Sequence, residues 1–327
     1  VRLLTAVAAL GKVPYMLRGD DRMAERPIEA LLDALKQIGV QARSTANNGC
    51  PPVEINGKYL SGRTVAINCR TSSQFLSGLL LMAPCTAEGL EIKVTEGPVS
   101  KSYVDMTIDV MSKFGLHVDR NGYDTFVVGG RQSYLAGSCQ VESDASQAGY
   151  FWAAAAVCGT EIKVKGVTAN SRQGDVNFAK LLAAMGCEIA TEPDGITVSG
   201  RYLRAADVDM GDMPDMVPTL AVVAAFAEGT TIIRNVSHLK AKESDRLASV
   251  VNELVKMGID ARCSADELIV TGGKPRGAEI ETYGDHRIAM SFAVAGLVTS
   301  QTFILDENCV EKSFPNFWNV FEGLYGS

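Results

Sequence analysis

Residues 148–156, with the sequence AGYFWAAAA, are apolar on every side, and this stretch decides the fold. A helix without a polar face is buried all round in a folded protein, so we expect other elements to cover it completely. Gly159 ends the helix, since glycine readily takes the left-handed conformation that closes one. Residues 161–164, EIKV, then alternate with a period of two, which predicts a half-buried strand.

The chain that follows completes one structural unit. A polar loop at 170–175 leads to residues 176–185, whose apolar side chains fall on one face of a predicted amphipathic helix. Gly186 ends this helix, and the segments 188–190 and 195–200 are typical of a strand hairpin. The unit is therefore α-β-α-β-β, or βαβαββ in another phase.

The same unit recurs along the chain, and its marker is the glycine that ends the amphipathic helix. These glycines follow one another after 76, 71 and 72 residues, at Gly39, Gly115, Gly186 and Gly258. Further fully buried helices are predicted at 75–82, 217–226 and 288–298. Alternating strands are predicted at 90–94 and 230–234, and amphipathic helices at 28–37, 104–114 and 247–257. A repeat fixes the architecture, and helices buried on all sides favour packing inside a ring of sheets over an open solenoid.

The first copy of the unit lacks its beginning. Residues 3–11 are its expected buried helix, and only Val1 and Arg2 precede them, whereas the later copies have polar loops there, at 70–74, 143–147, 212–215 and 284–287. We expect that an N-terminal part of the protein precedes Val1. The alternative is a natural start, which would lie inside a repeat and lack methionine.

Composition and charge argue against several classes of function. The 327 residues allow one to three domains, and 46% hydrophobic content is enough for a large core. A net charge of −7 argues against binding to nucleic acid or to acidic membranes. The eight cysteines form no CxxC motif, so neither a zinc ribbon nor a thioredoxin-like site is expected, and several in apolar runs fit a reducing compartment. No uncharged apolar run is long enough to predict a membrane span.

Basic residues collect in the loops at helix starts, although the protein is acidic. Arg26, Lys242, Arg246 and Arg287 are examples. A helix N-terminus already attracts anions through its unpaired N–H groups and its dipole, so cations placed there indicate an anionic ligand. Arginine suits phosphate and carboxylate because it can form two parallel hydrogen bonds to either.

Each of these loops also has a purely structural interpretation. Serine and aspartate at helix starts are common N-caps, and Arg26-Pro27 fits a proline in the first helical turn beside a surface arginine. Asp285-His286-Arg287 would then be a solvated turn, and the charges from Lys242 to Arg246 would be surface ion pairs of little energetic value. The recurrence of the same polarity at equivalent points of the repeat favours the ligand interpretation.

The motifs together resemble those of one enzyme family, the EPSP synthases (3-phosphoshikimate 1-carboxyvinyltransferases), which are enolpyruvyl transferases of the shikimate pathway and of aromatic amino acid biosynthesis. The similarity runs in order from Val1 to about Phe317. The motifs that carry it are Arg26-Pro27-Ile28, Ser72-Ser73-Gln74-Phe75, Ser100-Lys101-Ser102-Tyr103, Pro214-Asp215, Lys242-Glu243-Ser244-Asp245-Arg246, Asp285-His286-Arg287 and Lys312-Ser313-Phe314-Pro315.

The resemblance implies an α/β (α+β) fold, a two-domain inside-out α/β barrel built from six βαβαββ repeats. About four and a half of the six would be present. The first domain, expected at 1–141, would hold three repeats, the first of them incomplete, on the shikimate 3-phosphate side. The second domain, expected at 142–327, would lie on the phosphoenolpyruvate side, with the active site in the cleft between the domains.

The resemblance also implies an activity and its residues. The enzyme would transfer the enolpyruvyl group of phosphoenolpyruvate to the 5-hydroxyl of shikimate 3-phosphate and release phosphate. Asp215 and Glu243 would share the proton transfers. Shikimate 3-phosphate would be bound by Ser72, Ser73, Gln74, Ser100, Tyr103, Asp215, His238 and Lys242. Phosphoenolpyruvate would be bound by Arg26, Gln74, Arg246, Arg287 and Lys312.

The chemistry accounts for these residue types. The reaction needs a base near the hydroxyl, an acid near the methylene carbon and cations around a crowded anionic intermediate. Domain closure would exclude water from that intermediate. We expect no metal and no organic cofactor. The expected partners are the two small-molecule substrates, and neither nucleic acid nor a membrane is expected to bind. We expect a monomer in the cytoplasm, unless a transit peptide has been lost.

The sequence departs from the family at several points. Many members have Asn where His238 stands, and Ala241 and Ser244 replace the commoner Val and Thr. A Lys-Ser loop and a Gly-Asn-Ala-Gly-Thr loop, both of which bind substrate in the family, would lie before Val1. The second loop shapes the binding site of glyphosate, the inhibitor of this family.

Two rival functions remain open. UDP-N-acetylglucosamine enolpyruvyl transferases have a reactive cysteine five residues before their Arg-Pro, where this chain has Asp21, and no cysteine lies between Arg18 and Arg26. The second rival is an inactive anion-binding fragment that needs the missing N-terminal part.

Overall fold

The chain folds into two compact units, Val1–Gln140 and Val141–Ser327. The computed structural model describes residues 1–326. Each unit has a buried hydrophobic cluster of its own, which includes Leu31 and Phe75 in the first unit and Trp152 and Leu220 in the second.

The first unit alternates helices with short strands. Its elements are α1 (Arg2–Ala8), β1 (Tyr15–Leu17), α2 (Glu29–Gln37), β2 (Gln41–Ser44), β3 (Val53–Asn56), β4 (Thr64–Asn68), α3 (Gln74–Met82), β5 (Gly89–Glu96), α4 (Lys101–Lys113), β6 (Asp119–Asn121) and β7 (Thr125–Gly129).

The strands of the first unit form two sheets that share one plan. In the larger sheet β4 and β5 are parallel, β5 and β7 are antiparallel, and so are β7 and β6. Together with α3 and α4 these strands make a complete βαβαββ unit. The smaller sheet has the order β1-β3-β2, with both pairings antiparallel. With α1 and α2 it forms the same unit without the first strand.

The second unit continues the alternation. Its elements are α5 (Ala145–Cys158), β8 (Glu161–Lys165), α6 (Asn177–Ala184), β9 (Glu188–Glu192), β10 (Gly195–Ser199), β11 (Asp207–Asp209), α7 (Val217–Ala225), β12 (Thr230–Arg234), α8 (Arg246–Lys256), β13 (Asp260–Cys263), β14 (Glu267–Thr271), β15 (Glu279–Ile280), α9 (His286–Gly296), β16 (Phe303–Ile304) and α10 (Phe317–Glu322).

The sheets of the second unit repeat the plan of the first. The order β11-β12-β14-β13, with only the first pair parallel, makes a second complete βαβαββ unit with α7 and α8. The sheet β8-β10-β9 with α5 and α6 again lacks the first strand. The parallel pair β15 and β16 flanks α9 and forms the beginning of another copy. The predicted repeat is therefore confirmed.

The helices predicted to be buried on every side are so, with one exception. All of α7 is buried, as are most residues of α3, α5 and α9. The prediction for the first copy is wrong: α1 buries Arg2, Thr5 and Ala6, but Leu4 is 62% exposed and Val7 is 43% exposed. Apolar composition cannot indicate this difference, because burial of a helix depends on how many faces its neighbours cover.

The repeated glycines have the conformation that the sequence predicts. Each of the four lies two residues after the last residue of an amphipathic helix. Each has a positive φ, of 82° at Gly39, 81° at Gly115, 115° at Gly186 and 81° at Gly258. A side chain disfavours this left-handed region, and glycine carries none. The chain can therefore reverse at the same point of every copy.

The parallel strand pairs determine where the polar loops lie. The loops that follow β4 and β5 lead into α3 and α4, and those that follow β11 and β12 lead into α7 and α8. Because each pair is parallel, its two loops leave the sheet at the same edge, where α/β proteins commonly bind ligands. None of the described helices combines the length and the apolar character that crossing a membrane requires.

Candidate active site

The guanidinium of Arg246 is the centre of a charged cluster in the second unit. At the start of α8, its Nη1 donates to Oδ1 of Asp215 at 2.7 Å, and its Nη2 donates to Oε2 of Glu243 at 2.9 Å. Its Nε donates to Oδ2 of Asp285 at 2.8 Å. The Arg246 side chain is only 2% exposed, so the interpretation of this segment as surface ion pairs is wrong for Arg246. One arginine thus joins three loops.

Three cationic side chains surround the carboxylate of Asp215. Besides Arg246, Nη2 of Arg287 donates to Oδ2 at 3.2 Å, and Nζ of Lys242 lies 3.7 Å from Oδ1. Burial alone would raise the pKa of Asp215, but Arg287, Lys242 and Arg246 outweigh it and hold this pKa well below the usual range. Asp215 is therefore ionised at neutral pH, and it occupies three cations that an anionic ligand would otherwise neutralise.

Glu243 lies between two cations of the same cluster. Its Oε2 accepts from Arg246, and its Oε1 accepts from Nζ of Lys312 at 3.2 Å. The Glu243 side chain is mostly buried, while that of Lys312 is about half exposed. This arrangement places a carboxylate, a group that can carry a proton, beside the two predicted phosphoenolpyruvate ligands Arg246 and Lys312.

Asp285 caps the start of α9 and also belongs to the charged cluster. It is fully buried, caps the helix by accepting from the backbone N of Arg287 at 2.9 Å, and also accepts from Oγ of Ser244 at 3.1 Å. Burial would raise the pKa of Asp285, but Arg246 lowers it below its ordinary value. Asp285, His286 and Arg287 are all buried, so their interpretation as a solvated turn is wrong.

Tyr150 is a member of the site that the sequence did not single out. Its hydroxyl accepts a hydrogen bond from Nη1 of Arg287 at 3.1 Å, in a fully buried position on α5. Burial raises the pKa of Tyr150 to about 12, so the ring stays neutral. A neutral partner orients the guanidinium without cancelling its charge. The only sequence signal is a tyrosine in a helix predicted to be buried, because a buried hydroxyl needs a partner.

Asp175 is a second buried group that sequence reasoning missed. Burial, with the nearby charge of Asp215, raises the pKa of Asp175 to about 7, although Arg287 and Lys242 act in the opposite direction. Among the described residues its buried Oδ1 has no hydrogen-bond partner. Its position before α6 gave no signal, because aspartate is ordinary at a helix start.

His238 is placed in the second unit but not joined to the cluster by a hydrogen bond that we observe. Its side chain is buried, and within the part of the chain that the structure describes no group hydrogen-bonds its Nε2. Burial, together with the smaller effect of the Lys242 charge, lowers the pKa of His238 to about 4. The imidazole is thus neutral at pH 7, and its role as a shikimate 3-phosphate ligand stays a prediction.

In the first unit, the start of α3 carries three of the predicted ligands. Ser72 and Ser73 are buried, whereas Gln74 is exposed. Oγ of Ser72 accepts from the backbone N of Gln74 at 3.2 Å. Ser73 occupies the N-cap position but makes no capping hydrogen bond. N-capping, the structural alternative, holds for Asp144, Asp245 and Asp285 but not for Ser73.

The start of α4 carries two further ligands predicted in this unit. Ser100 is buried at the N-cap position in a left-handed conformation (φ 53°, ψ 57°), and its hydroxyl makes no capping hydrogen bond. Tyr103 is half-buried and donates its backbone N–H to the carbonyl of Ser100 at 3.1 Å. A serine in this region of backbone space is strained by about 1–3 kcal/mol, and such strain is frequent at binding sites.

Arg26 lies in a different loop of the same unit. It ends the one-turn 3₁₀ helix Met23–Glu25 in an extended conformation and is half-buried. Helix α2 starts at Glu29. Pro27 therefore precedes the helix by two residues, and its interpretation as a proline in the first helical turn is wrong. The position of Arg26 is therefore determined by the loop, and Arg2 holds the next residue by a hydrogen bond from its Nη2 to the carbonyl of Pro27.

The charges of the second-unit cluster suit an anionic ligand. Lys242, Arg246, Arg287 and Lys312 face the carboxylates of Asp215, Glu243 and Asp285, so four positive charges meet three negative ones. Such a cluster can bind phosphate or carboxylate and move a proton beside it. No group of three metal-binding side chains occurs among residues 1–326. Burial raises the pKa of Cys50, Cys69, Cys158, Cys187 and Cys309, which argues against an activated thiol at these positions.

Known proteins match the chain along almost all of its length. The family model for EPSP synthase (3-phosphoshikimate 1-carboxyvinyltransferase) matches residues 1–321. The 3-phosphoshikimate 1-carboxyvinyltransferase of Methanoculleus marisnigri is 42% identical over 327 residues, which cover 100% of this chain and 76% of that protein. The protein of the same name from Marinomonas sp. is 43% identical over 326 residues, 99% of this chain and 77% of that protein.

A solved structure shares the fold. The EPSP synthase of Acinetobacter baumannii superposes with a TM-score of 0.81 at 29% identity, over 98% of this chain and 76% of that one. The predicted fold class, the inside-out α/β fold with βαβαββ repeats, is thereby confirmed. Because the family model spans residues 1–321 and relatives above 40% identity cover the chain from end to end, this chain belongs to the EPSP synthase family.

Proposed function

We propose that this chain transfers the enolpyruvyl group of phosphoenolpyruvate to the 5-hydroxyl of shikimate 3-phosphate, giving 5-enolpyruvylshikimate 3-phosphate and phosphate. Membership of the EPSP synthase family supports this activity. The observation that carries it in the structure is Arg246, whose one guanidinium holds both Asp215 and Glu243, the two predicted proton carriers.

The cations of the cluster fit phosphoenolpyruvate, which has a phosphate and a carboxylate. Arg246 and Arg287 offer planar forks for either group, and Lys312 offers a point charge from a more exposed position. The same cations would stabilise the tetrahedral intermediate, which keeps both anionic groups. In the first unit, Ser72, Ser73, Gln74, Ser100 and Tyr103 offer hydrogen bonds to shikimate 3-phosphate, and Arg26 a further charge.

Two carboxylates account for the proton movements. In the addition step the 5-oxygen bonds to C2 of phosphoenolpyruvate, the hydroxyl loses its proton, and C3 gains one to become a methyl group. In the elimination step the bond from C2 to the phosphate oxygen breaks, the methyl group returns a proton, and phosphate leaves. Asp215, close to Lys242, is assigned to the hydroxyl, and Glu243, close to Lys312, is assigned to C3.

Substrate binding would change the basicity of Asp215. Without ligand, three cations hold its pKa well below the usual range, so it is a weak base. Anionic substrate groups would take over part of the interaction with Arg246 and Arg287. The pKa of Asp215 would then rise toward the range in which a carboxylate accepts a proton efficiently.

The decisive experiment measures phosphate release by the 327-residue chain from phosphoenolpyruvate and shikimate 3-phosphate together. Release that needs both substrates is expected, and UDP-N-acetylglucosamine should not replace shikimate 3-phosphate. Binding of both substrates without turnover would instead identify an anion-binding protein, and turnover with the UDP-sugar would favour the rival transferase.

We also propose a monomer in the cytoplasm that does not bind nucleic acid. The net charge of −7 argues against nucleic-acid binding. The eight cysteines, none of them in a disulfide, support a reducing compartment such as the cytoplasm. Light scattering should give a mass near 34.9 kDa, and a mass of twice that would contradict the monomer.

A further inference from the structure

The guanidinium of Arg2 connects three segments of the first unit. Arg2 is buried at the start of α1. Its Nη1 donates to Oγ of Ser72 and to Oε1 of Gln74, both at 3.2 Å, and its Nη2 donates to the carbonyl of Pro27 at 2.8 Å. The guanidinium carbon lies 5.1 Å from the ring centre of Phe75. These contacts fix both the plane and the direction of the arginine fork.

The contact with Ser72 leaves its hydroxyl one function. A serine oxygen has two lone pairs and one proton. Oγ of Ser72 accepts from Arg2 and also from the backbone N of Gln74, so both lone pairs are used. The hydroxyl proton is therefore the part of Ser72 that remains for a ligand, and it can only be donated to an acceptor.

The contact with Gln74 has the same consequence. Arginine carries donors only, so it must face the carbonyl oxygen of the Gln74 amide and not its NH₂ group. The NH₂ group then points away from Arg2 as a pair of donors. Ser72 and Gln74 are thus both converted into donors, which is the polarity that a phosphate or another oxyanion requires.

The third contact brings in the loop of Arg26. The carbonyl that Nη2 holds belongs to Pro27, the residue directly after Arg26. A bond at this point limits the backbone from which the Arg26 side chain extends. Through one rigid group, Arg2 therefore links the loops of two sets of predicted ligands, by contacts with Pro27 and Ser72, which lie 25 and 70 residues further along the chain.

We propose that Arg2 is a positioning residue for substrate binding, which sets Ser72 and Gln74 as hydrogen-bond donors to shikimate 3-phosphate and fixes the loop of Arg26. The inference rests on the proposed function, because the ligand is the substrate named there. Neither composition nor the motifs singled out Arg2, which stands before a run of apolar residues.

The first test measures the dissociation constant of shikimate 3-phosphate by calorimetry for the chain and for Arg2→Met and Arg2→Lys. Methionine keeps the aliphatic length and removes all donors, so affinity should fall about tenfold or more, as expected for lost hydrogen bonds to a charged group. Lysine keeps a charge but loses the fork, and should lie between the two. Arg43→Met, which removes an exposed pair with Glu54, is the matched control and should bind like the unchanged chain.

A double-mutant cycle separates positioning from general stability. If Arg2 acts through Ser72 and Gln74, then Arg2→Met added to the double variant Ser72→Ala/Gln74→Ala should cost less than about threefold in affinity, because coupled residues are not additive. Fully additive losses would show that Arg2 acts elsewhere and would overturn the proposal. Should Arg2→Met not fold, the same cycle is read with Arg2→Lys.

The outcomes for the site and for the function are distinguishable. Unchanged affinity in both Arg2 variants, with binding by the unchanged chain intact, would refute the role of Arg2 alone. Absence of shikimate 3-phosphate binding by the unchanged chain would refute this proposal and the proposed function together.

Discussion

Nε of Arg246 lies 2.8 Å from Oδ2 of Asp285, and neither side chain is more than 2% exposed. Two charges removed from water in this way stabilise the fold little as a pair, because their attraction offsets the loss of hydration. Removal of one partner is different, since the other charge then stays buried without compensation. The pair therefore fixes the geometry of the site, and the loss of either side chain should lower the stability of the fold.

Arg246→Met tests that consequence. It leaves Asp285 buried and unpaired and should lower the free energy of unfolding by about 3–5 kcal/mol, measured by urea denaturation. Arg201→Met, which breaks an exposed pair with Glu188, should change it by about 1 kcal/mol or less. A similar small effect for both variants would mean that water reaches Asp285.

Glu243→Gln should remove proton transfer and spare binding. Glutamine keeps the volume and an acceptor for Arg246 but cannot carry the proton. We expect kcat to fall about 100-fold or more, while the dissociation constant of shikimate 3-phosphate stays within about twofold. Glu228→Gln, at an exposed glutamate bonded to Tyr202, is the control. An unchanged kcat would remove Glu243 from the mechanism.

Tyr150→Phe should weaken phosphoenolpyruvate through Arg287. The change deletes one hydroxyl and the hydrogen bond that orients this guanidinium, and it keeps the aromatic ring in its buried position. The KM for phosphoenolpyruvate should rise about tenfold, with a smaller effect on shikimate 3-phosphate. Tyr202→Phe, which loses an exposed hydroxyl, should leave both values unchanged. Equal losses for both substrates would point to general damage of the fold.

Ser100 allows strain and binding to be separated. Ser100→Gly and Ser100→Ala both remove the hydroxyl, so both should weaken shikimate 3-phosphate by a similar factor, of about five to ten. Only glycine relieves the left-handed backbone, so Ser100→Gly should be more stable than Ser100→Ala by about 1 kcal/mol. Thermal denaturation and calorimetry on the two variants measure these quantities. Equal stability would mean that the backbone changes its conformation in the alanine variant.

Asp175 should make the protein less stable as the pH rises. Its pKa is about 7 in the folded state and 3.8 in the unconstrained group, so the folded state binds the proton more tightly. The resulting stability is fully present below pH 3.8 and is lost as the pH rises through 7. Asp175→Asn removes this dependence.

The melting temperature of Asp175→Asn relative to the unchanged chain should therefore increase between pH 5 and pH 8, by about 3 °C or more. Asp260→Asn, at an exposed aspartate, should show no such trend. A difference that is constant with pH would contradict a protonated Asp175.

The local patterns were sufficient for most of the fold. Residues 148–156 predicted a buried helix, and α5 is buried over most of its length. The glycines at 39, 115, 186 and 258 predicted the helix ends, and all four have a positive φ. A glycine at a helix end acts through its own backbone conformation, and an apolar run without a polar face favours burial, so the sequence indicates both features directly. The exposed face of α1 could not be predicted, because it depends on the distant elements that cover it.

The site was predicted only as far as its motifs. Asp215, Lys242, Glu243, Arg246, Arg287 and Lys312 were named from the sequence, and the structure brings them into one cluster. That Arg246 would hold three carboxylates was not predictable, since Asp215 and Asp285 are 31 and 39 residues away. The parallel pairing of β11 and β12 brings the loops of Asp215 and Arg246 to one edge of a sheet, whereas Asp285 follows β15 in a separate sheet.

By itself, the sequence determined the repeat, the helix ends, the anionic character of the ligand and the family. The tertiary structure alone decided which polar side chains became partners, such as Arg2 with Ser72, 70 residues apart, and Tyr150 with Arg287, 137 residues apart. The physical reason is that periodicity and backbone preference act over a few residues, whereas a buried hydrogen bond depends on the path of the whole chain.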